Sequence, residues 1–194
     1  MANASRIYGL RPVKTLSGAP LMGNLETFNL PAADGTATFV GDLVKSGGSA
    51  DATGVQTIAR SSADADLHLG VVVGFVPDYT NLNIPGQYRA ASTNRYALVH
   101  VAPFTVFEIQ ADAATAVTDI GLNVGLNYTA GSTTTGQSQL TAKMSTKATT
   151  STLPLKIVGV VQRPDQDMSD SSNWKLLVTL NTNNFVGAGT TGTS

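Results

Sequence analysis

Apolar and polar positions alternate with a period of two along Arg95–Gln110, broken only at Ala102-Pro103. Before the break, Tyr96, Leu98 and His100 fall on one face and Ala97, Val99 and Val101 on the other. After it, Thr105, Phe107 and Ile109 alternate with Phe104, Val106 and Glu108. Such alternation in β-branched and aromatic residues predicts two pleated, half-buried strands. Proline cannot donate to a ladder, so Pro103 is placed at the corner between them. This segment is expected to form the centre of one β domain.

The same reading extends along the chain. Leu25–Leu30, Thr36–Val44, Val55–Ala59, Asn123–Tyr128, Gln137–Ala142, Leu153–Gln162 and Trp174–Thr182 read as further strands, with turn chemistry such as Asp34-Gly35 between them. Leu67–Val76 is nearly continuous in apolar residues, the pattern of a strand buried on both faces. Its Gly70 and Gly74 mark a bulge, a bend or the close passage of another element. Ser46–Gly54 and Lys143–Ser151 read as polar loops, and Asp112–Leu122 as the one short helical turn. The sum is an all-β barrel or sandwich of about ten short strands with at most one short helix. Three segments follow: an extended arm over residues 1–23, a single β domain over 24–185, and a flexible Gly/Thr tail over 186–194.

Composition changes this picture in one respect. Of 194 residues, 42% are hydrophobic, enough for a core, but only 13% are charged. That share is about half the usual one, so Thr, Ser, Asn and Gly must cover much of the surface. Such a surface is poorly protected against association, which points to contact with other protein chains. A net charge of −1 gives no general pull toward nucleic acid or anionic membrane. No run approaches the roughly 18 apolar residues of a membrane helix, and the first residues lack the apolar core of a secretory signal. The absence of cysteine removes disulfides, thiolate nucleophiles and cysteine-ligated zinc.

Candidate chemistry is sparse. His68 and His100 sit singly in apolar strands, as packed residues do, and no spacing pairs them as metal ligands. Asp165, Asp167 and Asp170 resemble the start of a calcium loop, but Asp170 and Leu176 stand where that loop needs Gly and Glu, which favours a solvated turn. Glu26 and Glu108 are the only glutamates and nothing in the sequence pairs them for acid–base work. No phosphate loop or nucleophile elbow is present. The expectation is therefore no catalytic residue, no metal and no cofactor.

Two stretches carry candidate contacts. In the arm, Arg6 and Arg11 are cationic, and Ile7, Tyr8 and Leu10 are apolar anchors that could order on a neighbouring subunit by adding a strand to its sheet edge. The longer loop Pro77–Ala91 holds Tyr79, Leu82, Ile84 and Tyr88. Tyr79, Tyr88 and Trp174 also admit a carbohydrate-binding module as an alternative.

The phrases Gly70-Val71-Val72-Val73-Gly74-Phe75, Ala91–Val99, Phe104–Gln110, Asp119–Asn123, Leu153–Gly159 and Trp174–Val178 resemble head decoration, or cement, proteins of tailed bacteriophages, over about Thr36 to Asn183. The resemblance implies a non-enzymatic all-β virion protein. It would sit on the outer capsid surface, after a stage in the host cytoplasm during assembly, and bridge and stabilise major capsid subunits. Its partners would be the major capsid protein and copies of itself, as a trimer in preference to a dimer, with no nucleic acid and no membrane. Arg6, Ile7, Tyr8, Leu10, Arg11, Tyr79, Leu82, Ile84 and Tyr88 are then the expected capsid or subunit contacts.

Overall fold

The computed structural model describes residues 3–19, 21, 23, 25–79, 83, 86–101, 103–185 and 192. Among them the chain is all-β. In chain order the strands are β1 (Arg11–Thr15), β2 (Leu25–Leu30), β3 (Thr38–Phe39), β4 (Leu43–Ala50), β5 (Gln56–Arg60), β6 (His68–Phe75), β7 (Tyr88–Arg89), β8 (Arg95–Val101), β9 (Thr105–Gln110), β10 (Asn123–Asn127), β11 (Thr141–Ala148), β12 (Leu155–Val160) and β13 (Lys175–Leu180). One 3-10 turn, Val117–Asp119, is all that forms of the expected helical turn; the β-branched Thr115, Val117 and Thr118 disfavour more.

The two strands at the centre of the sequence pattern go to different sheets. β8 belongs to a closed barrel in the order β2-β5-β4-β6-β8, whereas β9 lies in a six-stranded sheet ordered β1-β9-β13-β12-β10-β11. The barrel is antiparallel except at its closure, where β2 meets β5 in parallel at Asn29 and Thr57. Its core holds Phe28, Leu30, Val44, Ile58, Leu69, Val72, Phe75, Ala97 and Val99. The six-stranded sheet curls until Ala111, just past β9, bridges Ala142 of β11. Phe107, Ile109, Val124, Leu155, Ile157, Trp174, Leu176 and Val178 fill that second core. The expected single centre is therefore a corner between two cores. Phe104 turns it with a φ of 68°, a left-handed conformation that bulky residues rarely adopt.

β6 explains why its sequence is apolar on both faces. Leu69 and Val72 enter the barrel core, while Val71 enters the second core. Gly70 is required because β8 passes so close that a Cβ there would collide with the carbonyl oxygen of His100. Gly74 has no such neighbour and sits where the register with β8 shifts.

Polar ties join the two cores. Asp42, fully buried, accepts from Ser138 Oγ at 2.6 Å and from the Phe39 amide at 2.9 Å, and pairs with Arg60 Nε at 3.1 Å. Asp64 accepts the Leu126 amide at 3.1 Å. Burial raises the affinity of Asp42 for its proton, against the pull of Arg60 and its hydrogen bonds.

Two expected loops are strands. β4 continues through Ser46–Ala50, and β11 through Lys143–Ala148. Both have outer faces that meet solvent, so polarity there did not mean loop. In the Pro77–Ala91 loop, Tyr88 and Arg89 form β7 and pair with β3. Leu82, Ile84 and most of the tail (186–191, 193 and 194) lie outside the described residues.

Candidate functional site

The sequence leaves the arm free to order on a neighbour; in the structure it lies along its own chain. Asn3 is only 7% exposed and plugs the loop that follows β12. Its Nδ2 donates to the carbonyl oxygens of Asp167, Asp170 and Ser172, each at 3.0 Å. Its Oδ1 accepts the Asp167 amide at 2.7 Å, and its own amide donates to Asp170 Oδ2 at 2.9 Å. This is the acidic loop whose carboxylates resemble the start of a calcium loop and which the sequence favours as a solvated turn. Its inward main-chain oxygens are taken by an asparagine amide, and the Asp167 and Asp170 carboxylates accept the amides of Ser169 and Ser172. Among the described residues no three potential metal-ligating side chains converge. The Ser172 and Asn3 amides hold the Asp170 carboxyl below the usual carboxylate range.

Further along, the Arg6 amide donates to Gln110 Oε1 at 2.7 Å and Tyr8 Oη donates to Glu108 Oε1. Leu10 is 2% exposed and belongs to the second core, so it is a packing residue rather than the outward anchor expected. Gly9 and Gly41 allow the arm to cross the barrel: both have positive φ, and a Cβ on Gly41 would strike the Tyr8 carbonyl. The crossing is fastened where the Leu10 amide donates to Gly41 O at 2.9 Å.

The arm then becomes β1, which pairs antiparallel with β9 and with no other strand among the described residues. Arg11, Val13 and Lys14 are exposed along it, with a register shift between Pro12 and Lys14. A proline, two cations and a bulge are devices that discourage indiscriminate edge pairing. At the end of β1 the Leu16 amide donates to Phe104 O at 2.7 Å. This joins the main chains of Leu16 and Phe104, whose apolar side chains are both exposed, as is that of Val13 nearby in the chain.

Beside the arm lies a cavity of about 590 Å³, lined by Arg6, Tyr8, Arg11 and Arg163, by Glu108 and Asp165, and by Lys175. Glu108 is 3% exposed and is held by Arg163 through bonds of 2.6 and 3.1 Å. Arg163 also reaches Asp165 at 3.3 Å. Burial, reinforced by Glu108, pushes the Tyr8 phenol well above its ordinary range. Lys175 Nζ donates to Ala4 O, Gln110 Oε1 and Asn173 O, each at 3.1 Å, and burial lowers its proton affinity. Arg6 and Arg11 are exposed at the rim and make no ion pair among the described residues. The cavity thus offers two uncommitted guanidinium groups above a neutralised floor, an arrangement that receives carboxylates.

Of the residues singled out from sequence, Arg6, Tyr8 and Arg11 come together at this cavity, whereas Ile7 is exposed and does not line it. Tyr88 is elsewhere, stacked on Phe39 at 5.2 Å between ring centroids. Tyr79 is elsewhere too, beside a separate cleft. Sequence reasoning missed Asn3, Val13, Leu16, Phe104, Glu108, Arg163 and Lys175. The one available signal was Glu108, a carboxylate inside an apolar strand, which requires a buried partner.

Compared with known proteins, the chain matches no family model, no curated protein and no solved structure.

Proposed function

We propose that this chain is a structural virion protein that docks on the outside of a phage capsid and bridges neighbouring major capsid subunits. The observation that carries the reading is the outer edge of β1, which ends its sheet beside the exposed Val13, Leu16 and Phe104. A strand edge beside apolar side chains suits main-chain pairing with an extended segment of a partner. The rim cations Arg6 and Arg11 suit acidic side chains on the same partner. The low charge of the chain agrees with a surface meant for protein contact. Each contact of this kind is weak, but identical contacts repeated over a symmetric shell add by multivalency. A protein that binds the assembled shell and not its parts then stabilises assembly by mass action.

Deleting the arm would be a poor test, because Leu10 is part of the core. The better test replaces exposed side chains, Val13→Lys with Leu16→Asp, and measures occupancy on expanded heads built from the major capsid protein of the same genome. The wild-type chain should coat the heads and the variant should lose at least tenfold in affinity while melting at the wild-type temperature. Equal occupancy of the folded variant would remove β1 from the contact. Wild-type protein that never binds heads would remove the reading itself.

A further inference from the structure

The end of β6 and the start of β8 frame a cleft of about 380 Å³ on a different part of the barrel from the arm. Val76 and Tyr96 line it, with the Val76 amide donating to Tyr96 O at 2.9 Å. Tyr79 stands at its mouth and is 82% exposed. Asp78, Asn94 and Arg95 complete the polar part of the lining.

We propose that this cleft is a binding site for a neutral pyranoside sugar, a role independent of capsid docking. Three features carry the assignment. First, two of the groups lining the cleft, Tyr96 and Arg95, are held in place by the fold. Tyr96 Oη donates to Asp51 Oδ2 at 2.6 Å, which anchors the far end of its side chain. Arg95 is 4% exposed, donates to Tyr88 O at 2.9 Å and lies over the Phe75 ring at 5.1 Å. A site whose walls need no ordering loses less free energy on binding.

Second, the lining combines two tyrosine rings with three polar side chains of different type. Aromatic faces take the apolar C–H face of a sugar ring. Hydroxyls need both donors and acceptors, and Asp78 accepts, Arg95 donates and Asn94 does either. The Oδ1 of Asn94 accepts from Asn29 Nδ2 at 2.9 Å, and its own amide N–H groups have no partner among the described residues. Third, Asp78 and Arg95 cancel in charge, so the cleft favours neither an anionic nor a cationic ligand. A volume of this size lies at the lower end of small-molecule sites, which suits one ring with part of a neighbour.

A single shallow cleft of this type should bind with Kd of order 1 mM. The full chain is first screened on an array of neutral and acidic glycans, and the methyl glycoside of the best binder is then titrated by saturation-transfer NMR. The proposal expects binding to neutral glycans, a loss of at least tenfold in Tyr79→Ala, and retention within about twofold in Tyr79→Phe, which keeps the ring. Because Tyr79 is exposed, both variants should melt with the wild type. Absence of any neutral glycan binding, preference for acidic glycans, or undiminished binding by Tyr79→Ala would each overturn it.

Discussion

Arg163 grips Glu108 with two nitrogens, at 2.6 and 3.1 Å, and so ties the loop after β12 to the middle of β9. The pair is lopsided. Glu108 is buried among β9 neighbours that are all buried, whereas the Arg163 side chain is partly exposed. Losing the arginine leaves a carboxylate in a dry site with only Tyr8 to hold it, whereas losing the glutamate frees an arginine that water can reach. Arg163→Met should therefore destabilise by about 2–3 kcal/mol, below the 3–5 typical of a fully buried pair because of that exposure. Glu108→Gln should cost less. A urea-unfolding double-mutant cycle checks both, and additive effects would show that the two side chains do not interact.

The arm should behave as a latch with its catch at Asn3. Asn3→Ala removes three donations to main-chain carbonyls and the acceptor for Asp167. Residues Asn3 to Tyr8 should then exchange their amides faster, with protection in β9 and β13 retained, since local opening need not follow global unfolding. Trypsin should cut after Arg6 sooner than in the wild type. The latch should also loosen in acid. Asp170 has a folded-state proton affinity below its unfolded value, so its stabilising effect is present above about pH 4 and is lost as pH falls further. Hydrogen exchange measured at pH 6 and pH 3, corrected for intrinsic rates, reads this directly.

His68 gives a separate pH response. Burial lowers its pKa from 6.5 to about 4, against a smaller opposing pull from Asp66 and a minor push from Lys45. Its Nδ1 meets Ser61 Oγ at 3.0 Å, and no donor or acceptor reaches Nε2 among the described residues. The unfolded chain takes up a proton near pH 6.5 that the folded chain refuses until about pH 4. Stability is therefore complete above pH 6.5 and declines as pH falls toward 4, by at most about 3 kcal/mol. Urea midpoints across this window should slope in the wild type, and His68→Gln should flatten that slope.

The sequence made several elements legible for physical reasons. β2 is found at its expected bounds because Phe28 and Leu30 alternate with Thr27 and Asn29 and the segment ends at Pro31. β6 was readable as doubly buried because two cores need apolar side chains on both of its faces. The division into a barrel and a second sheet was not readable, because Arg95–Val101 and Thr105–Gln110 share one continuous pattern and only pairing partners distinguish them. β11 was missed because an edge strand with a wet face needs no apolar run, as Lys143, Ser145 and Lys147 show. The arm's cationic residues were readable as a group. Their setting was not, since Arg163 reaches Glu108 across 55 positions and Lys175 reaches Ala4 across 171, and no local spacing encodes that.

The two glycines of β6 give the sharpest test of the packing between β6 and β8. They are four positions apart and look alike in sequence. Gly70 faces the backbone of β8, where a methyl group would overlap the His100 carbonyl oxygen and crowd Val99. Backbone cannot swing aside as a side chain does, so Gly70→Ala must push two strands of a closed barrel apart. The expected cost is about 3 kcal/mol or more, at the upper end for overpacking. At Gly74 the nearest atom to the same methyl group would be Leu98 Cδ1 at 4.0 Å, an ordinary contact. Gly74→Ala should therefore lie within about 1 kcal/mol of the wild type, because added contact and a less flexible unfolded chain offset any strain at the register shift. Thermal melts of the two variants side by side decide it. Equal melting temperatures would mean that β6 and β8 do not approach as closely at Gly70 as the barrel requires.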